Sequence, residues 1–268
     1  MKTPHNAFKA AITNGQDQYG YWLGLCNPIS AEILGLCGYD WLLIDAEHAP
    51  NDLRTVREQL VAIGNTPSHP VVRIVEGNTA LIKQMLDLGV QSLLVPMVET
   101  AAQAEQLVRA VRYPPAGVRG VGTALARASR WNNVEGYFAD ADSQMCLLIQ
   151  VESITAMQNL DEILSVEGID GVFFGPADLA ASMGYLGQPA HPEVVSVMED
   201  GIRRTRAAGK AAGTLATNKT VARNYQSCGV NFVALGVDTL AIAAAARATL
   251  AEHLDASNHK PDAGNGAY

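Results

Sequence analysis

Paired cysteines, basic runs and long apolar stretches are all missing from this 268-residue chain, and each absence removes a class of protein. The four cysteines, Cys26, Cys37, Cys146 and Cys228, form no CxxC pair and no zinc-finger spacing. A disulfide framework and a structural zinc site are therefore excluded, and free thiols of a reducing cytoplasm are expected. Lysine and arginine total 19 against 27 aspartates and glutamates, a net charge of −8, with no basic run or basic helix face. Nucleic acid and anionic membrane surfaces are thereby set aside as partners. No 18-residue apolar run is present, and the most apolar helical stretch, Leu240 to Leu254, carries Arg247, Glu252 and His253. The opening Met1-Lys2-Thr3-Pro4-His5-Asn6 has no apolar signal core, so a cytoplasmic protein with no membrane partner is expected. Gly120-Val121-Gly122 lacks the spacing of a nucleotide-binding loop.

What is present is ample core material, with 48% hydrophobic residues and 24 glycines. Apolar strand-like runs alternate with amphipathic stretches throughout. The strands are expected at 19–24, 41–45, 70–74, 92–97, 145–152, 171–175, 211–216 and 232–237. Helices are expected at 30–37, 52–63, 79–88, 101–111, 155–164, 192–208, 220–228 and 239–254. Gly89, Gly209 and Gly229 stand where helix C-caps precede strands. Eight βα units without a composition break read as an α/β protein, a single (β/α)8 TIM barrel, rather than a doubly wound sheet. A short helix near Phe8–Ile12 is expected to cap the barrel floor. Residues 1–256 form the barrel domain in this reading and 257–268 a frayed tail. Two long connections, 113–133 and 176–192, are expected to leave strand carboxyl ends, where loops build active sites.

Four strand ends carry chemistry. Trp41-Leu42-Leu43-Ile44 runs straight into Asp45-Ala46-Glu47-His48. These residues could simply end the strand and cap the next helix at Asn51 or Asp52, or they could form the rim of a site. The third strand ends near Arg73, the fifth in Gln150-Val151-Glu152, and the sixth in Gly175-Pro176-Ala177-Asp178. Glu152 and Asp178, on neighbouring strands, can converge on one point. Two carboxylates so close need a shared proton or a cation between them, and open oxygen sites suit Mg²⁺ or Mn²⁺. The alternative is that they pair with arginines or cap helices. Arg73 is either a rim ion pair or a fork for a developing oxyanion. His48 is the histidine at a strand carboxyl end, the residue type of a general base near neutral pH. A 2-oxo acid chelated by the metal through carboxylate and keto oxygen suits this mouth, with an enolate forming against the cation and Arg73. A Schiff-base route needs a lysine at a strand carboxyl end, and Lys2, Lys9, Lys83, Lys210, Lys219 and Lys260 all lie elsewhere.

At these residues the chain resembles the metal-dependent 4-hydroxy-2-oxoheptanedioate aldolases, relatives of the 2-dehydro-3-deoxyglucarate aldolases. The matching runs are 41–51, 93–98, 112–132, 150–152, 175–179 and 236–238, and the likeness covers about residues 6–255. Asn27-Pro28-Ile29-Ser30 is closer to the sugar-acid branch, and Ala124 to Trp131 to the heptanedioate branch. The resemblance implies a class II pyruvate aldolase that releases pyruvate and succinate semialdehyde and uses Mg²⁺, Mn²⁺ or Co²⁺. In it His48 is the base, Arg73 the transition-state stabiliser, and Glu152 and Asp178 the metal ligands. Gln150, Ala177, Asp178, Trp22 and Leu215 would contact substrate. Asp87 matches an aspartate that raises the basicity of the histidine. The topology puts Asp87 at the far end of its helix, so it would act only from a neighbouring subunit or through an irregular path, with Asp45 as the local alternative. A homohexamer with swapped C-terminal helices is also implied. Ala46 replaces a common glycine and Thr214 a common isoleucine, and neither change removes a chemical group. The alternatives are a 2-dehydro-3-deoxyglucarate-type aldolase giving tartronate semialdehyde, a citryl-CoA-type lyase, which the acidic charge opposes, and a non-catalytic oxo-acid-binding barrel.

Overall fold

The computed structural model describes residues 1–254, and the tail expected over 257–268 lies outside them. Eight parallel strands close into a barrel in sequence order, the (β/α)8 architecture expected. They are β1 Gln18–Leu23, β2 Trp41–Asp45, β3 His69–Arg73, β4 Ser92–Val95, β5 Cys146–Val151, β6 Gly171–Phe174, β7 Ala211–Leu215 and β8 Phe232–Val237. Helix α1, Ala7–Thr13, precedes β1. The others are α2 Pro28–Gly35, α3 Leu53–Ile63, α4 Thr79–Asp87, α5 Ala101–Ala110, α6 Tyr137–Asp140, α7 Ile154–Gln158, α8 Leu160–Leu164, α9 Pro176–Ser182, α10 Pro192–Ala207, α11 Lys219–Cys228 and α12 Asp238–His253. The single helix expected over 155–164 is two, because the turn at Asn159 takes φ −90° and ψ 5° and breaks the ladder. Asp52, rather than Asn51, caps α3, accepting from the Thr55 N–H at 2.8 Å.

Two apolar layers hold the fold. Outward-facing strand residues such as Leu42, Ile44, Val72, Ile149 and Val172 pack under the helices, and all are fully buried. Inside the barrel, Trp41, Leu43, Val71, Leu148, Phe173 and Phe232 fill the cylinder. The rings of Trp41 and Phe232 lie directly over Gly20 and Gly213, where any Cβ would collide with them. Phe8 of α1 plugs the floor, its ring 5.6 Å from Trp41 and 5.9 Å from Phe232. Asn6 caps α1 and donates to Ser92 Oγ at 3.0 Å, fixing this plug to β4.

One expectation is corrected. The 113–133 connection follows α5 and leads into β5, so it runs along the floor and not at the mouth. Hydrogen bonds from Glu135 N to the Met1 carbonyl and from Thr3 Oγ1 to Asp140 tie it to the N-terminal segment. The reason is topological: in a parallel barrel only strand-to-helix loops reach the carboxyl face. The 176–192 segment does follow a strand, β6. Among the described residues no helix is long and apolar enough to cross a membrane.

Candidate active site

The carboxyl ends of β1, β2, β3, β5 and β6 gather one polar cluster. Register creates its centre, because Asp45 and Arg73 are direct partners across β2 and β3. Arg73 Nε donates to Asp45 Oδ1 at 2.9 Å and Nη2 to Oδ2 at 2.6 Å, a buried bidentate pair. The Trp22 indole N–H of β1 reaches Asp45 Oδ2 at 3.0 Å, and the guanidinium lies 4.9 Å from the Trp22 ring centre. The backbone N–H groups of Glu47 and His48 also close on Asp45 Oδ1, at 3.0 and 3.3 Å. Burial alone would raise the Asp45 pKa, but the Arg73 pair and the Trp22 donor outweigh it and hold the carboxyl below its ordinary value. Asp45 therefore folds the loop that carries His48, and its carboxylate is spent on Arg73, Trp22 and backbone donors. Among the described residues Asp45 makes no hydrogen bond to the His48 imidazole.

His48 stands on the rim with two-thirds of its side chain exposed, its Nε2 3.9 Å from Glu47 Oε1. Glu47 turns the other way, its Oε2 2.9 Å from Arg73 Nη1 yet out of line for a hydrogen bond, so that buried oxygen has no donor. Burial raises the Glu47 pKa foremost, with the charges of Asp45 and Asp178 adding to it and Arg73 and His48 opposing. Glu47, expected at the mouth as part of the Asp45–His48 rim but with no role of its own, is paired by the structure with Arg73.

Glu152 follows β5 and is almost fully buried. Its Oε1 accepts the Met97 N–H at 2.9 Å, a donor aimed by the left-handed backbone at Met97 (φ 54°). Its Oε2 takes the Gln150 amide, whose own buried Oε1 has no partner. Gly175 permits this approach. A Cβ there would strike Glu152 Oε2 and stand 3.0 Å from Glu152 Cβ and 3.1 Å from Gln150 Nε2. Burial pushes the Glu152 pKa up to about 7, against the Gln150 and Met97 donors and helped by the charges of Asp178 and Glu47. Asp178, exposed in the first turn of α9 beside Ala177, completes the group. Leu215 ends β7, half-buried against the barrel interior.

Four carboxylates, Asp45, Glu47, Glu152 and Asp178, thus lie near one another, Arg73 pairing with the first two, and two buried acceptor oxygens, Glu47 Oε2 and Gln150 Oε1, are left without donors. Among the described residues no set of three His, Cys, Asp or Glu is arranged to hold a metal. A two-carboxylate site completed by substrate and water needs no third, and the excess negative charge suits a divalent cation. Asp87 is not in the cluster. It ends α4 on the floor side, with a buried Oδ1 that lacks a donor; burial raises its pKa, opposed by Arg119 and Lys83. Two lysines are held elsewhere: Lys210 Nζ binds the Val166 and Ile169 carbonyls, and Lys9 pairs with Asp170.

Residues 18–245 match the HpcH/HpaI aldolase/citrate lyase family. A hydroxypyruvate/pyruvate aldolase of Pseudomonas aeruginosa is 61% identical over 239 residues, 89% of each chain. A 4-hydroxy-2-oxo-heptane-1,7-dioate aldolase of Escherichia coli is 56% identical over 246 residues, 92% of this chain and 94% of that one. Among solved structures, an HpcH/HpaI aldolase/citrate lyase family protein from Burkholderia cenocepacia superposes with a TM-score of 0.89 at 38% identity, covering 92% of this chain and 99% of its own.

Proposed function

The chain belongs to the HpcH/HpaI aldolase/citrate lyase family, and on that premise we propose that it is a divalent-metal-dependent pyruvate aldolase. The reaction is aldol cleavage of a 4-hydroxy-2-oxo acid, with 4-hydroxy-2-oxoheptanedioate the leading substrate and succinate semialdehyde the leaving aldehyde. One observation carries the metal. Glu152, whose pKa burial pushes up to about 7, has Glu47 and Asp178 beside it as further negative charges, and a divalent cation would neutralise the group. Glu152 and Asp178 would hold the ion. When bound, it withdraws electrons from the keto group of a 2-oxo acid and acidifies the adjacent C–H.

The chain's own residues do the rest. In cleavage the C3–C4 bond breaks, its electron pair moves toward the keto oxygen, and the 4-hydroxyl proton leaves. His48, exposed at the rim, accepts that proton and returns it to C3 to give pyruvate. Arg73 has five N–H donors, and Asp45 takes two, so others remain for the oxyanion as charge develops there. Its brace of Asp45 and Trp22 fixes the fork before substrate arrives. The Gln150 amide and the first turn of α9, at Ala177 and Asp178, bind the substrate carboxylate, with Trp22 and Leu215 as apolar walls.

A second donor is favoured by the Pseudomonas aeruginosa relative, whose name gives hydroxypyruvate beside pyruvate. We also infer a homo-oligomer in the cytoplasm, a hexamer exchanging C-terminal helices. α12 leaves Leu240, Ile242 and Leu250 about half exposed, an apolar surface that a second copy would cover. In such an assembly the Asp87 carboxylate of one subunit would approach the rim histidine of the next. The test is release of pyruvate from heptanedioate- and sugar-acid-derived aldols and of hydroxypyruvate from its own aldols, before and after EDTA and with Mg²⁺, Mn²⁺ or Co²⁺ restored. Chelation should abolish release, as should Glu152→Gln. Full activity in the chelated enzyme overturns the reading and directs the search to a Schiff base, which borohydride would trap.

A further inference from the structure

A second polar cavity, of about 270 Å³, opens at the barrel floor, at the opposite end of β3 from the catalytic mouth. β3 runs from His69, which lines the cavity, to Arg73 at the mouth, about 13 Å at 3.3 Å per residue. Its walls come from the N-terminal segment, the α3–β3 and α4–β4 turns and the long floor connection. Besides Tyr137, every ionisable side chain lining it is basic: His5, His69, Arg127 and Arg130. No aspartate or glutamate lines it, although the chain as a whole carries a charge of −8.

The two arginines are held there without acidic partners. Arg127 Nη1 donates to the Leu88 carbonyl at 3.0 Å and lies against Gly89 (φ +95°), where a Cβ would come within 2.9 Å of it. Burial, with the like charges of Arg130 and Arg57 as lesser causes, lowers the Arg127 pKa to about 10. Among the described residues the Arg130 side chain makes no hydrogen bond or ion pair. The backbone at Arg130, Trp131 and Asn132 takes φ values of 51°, 54° and 65°, three successive non-glycine residues in the left-handed region. Ser129 Oγ accepts the Asn132 N–H at 3.0 Å and pins this strained turn. Such strain persists only where the surroundings enforce it, and it fixes one wall of a cavity whose charge is uncompensated.

We propose that this floor cavity binds a small dianion, a dicarboxylate or a phosphate, between Arg127 and Arg130. Guanidinium forks suit planar carboxylates and phosphate oxygens alike. The volume is several times the roughly 30 Å³ share of one water, room for a small metabolite rather than a single solvent molecule. Bound there, the anion joins the N-terminal segment, the end of α4 and the floor connection, at a site separate from the substrate's.

Isothermal titration tests this with sodium phosphate and sodium succinate as probes, on the full chain saturated with Mg²⁺ and pyruvate. At least one probe should bind the wild-type protein at millimolar concentration or below, and which one does so separates the two anion classes. Arg130→Gln should weaken binding tenfold or more while pyruvate release is unchanged. His5→Glu, which keeps both arginines and sets a carboxylate on the lining, should do the same, and it carries the test if circular dichroism shows the first variant unfolded. Absence of binding by either probe at 10 mM overturns the proposal. So does equal binding by wild type and the folded variants, which would put the anion at the mouth.

Discussion

Arg73→Lys removes the fork on which the mouth is built while keeping its charge. The guanidinium makes three close contacts: two hydrogen bonds to Asp45, at 2.9 and 2.6 Å, and an ion pair to Glu47 at 2.9 Å. An ammonium is a point donor and can keep about one. Hydrogen bonds to charged groups contribute about 1.5–3 kcal/mol each, so two losses at a buried site should destabilise the fold by about 3 kcal/mol, the low end allowing for water entry. Activity should fall further than stability requires, because the oxyanion loses its planar donor: kcat/KM should drop about 10²–10³-fold. Urea denaturation at pH 7.5 and the pyruvate-release assay measure the two. Asp45→Asn and the double variant close a thermodynamic cycle, with a coupling of at least about 1.5 kcal/mol expected. Asp45 also sets a pH sign. Its folded pKa lies below the ordinary 3.8, so its stabilisation is complete above that value and is lost as pH falls through the folded one. Asp45→Asn should lack that acid limb. A lysine variant with a wild-type urea midpoint and kcat/KM within threefold would refute the reasoning and return Arg73 to a rim ion pair.

His48→Ala should slow both aldol cleavage and solvent exchange of the pyruvate methyl protons, by about 10²–10⁴-fold, with metal affinity kept because the ligands lie on other strands; NMR of pyruvate in D₂O reads the exchange, and loss of the metal would make His48 a ligand instead. Burial lowers the His69 pKa from 6.5 to about 4, with the charge of His5 a lesser cause, so the folded protein holds it neutral while the unfolded chain binds a proton below pH 6.5. Its contribution to stability is therefore complete above pH 6.5 and lost as pH falls toward 4, about 2 kcal/mol by pH 5. Urea midpoints at pH 7.5 and 5 should differ less in His69→Gln by that amount, and equal pH slopes would show that His69 is not the group.

Fold and site differ in how far they were legible. The strand ends could be read because buried parallel strands are continuous apolar runs, and the residues that break those runs are confined to the rim. Glu152 and Asp178 were visible for that reason. The 113–133 connection was expected at the mouth because of its length, although the order of a helix before it and a strand after it, already legible in the sequence, puts it at the floor. The partner of Glu47 was not legible because Arg73 lies a whole strand away in sequence.

The sequence by itself determined the barrel, its eightfold alternation, the floor plug at Phe8 and the chemical types gathered at the mouth, since periodicity and strand-end composition are local properties. Tertiary structure alone decided which charges meet. The one-to-one register of β2 on β3 sets Asp45 against Arg73. The absence of a Cβ at Gly175 lets Glu152 and Gln150 fold over the end of β6. The burial that follows raises Glu152 to a pKa of about 7, because desolvation acts on a side chain only when neighbours remote in sequence close around it.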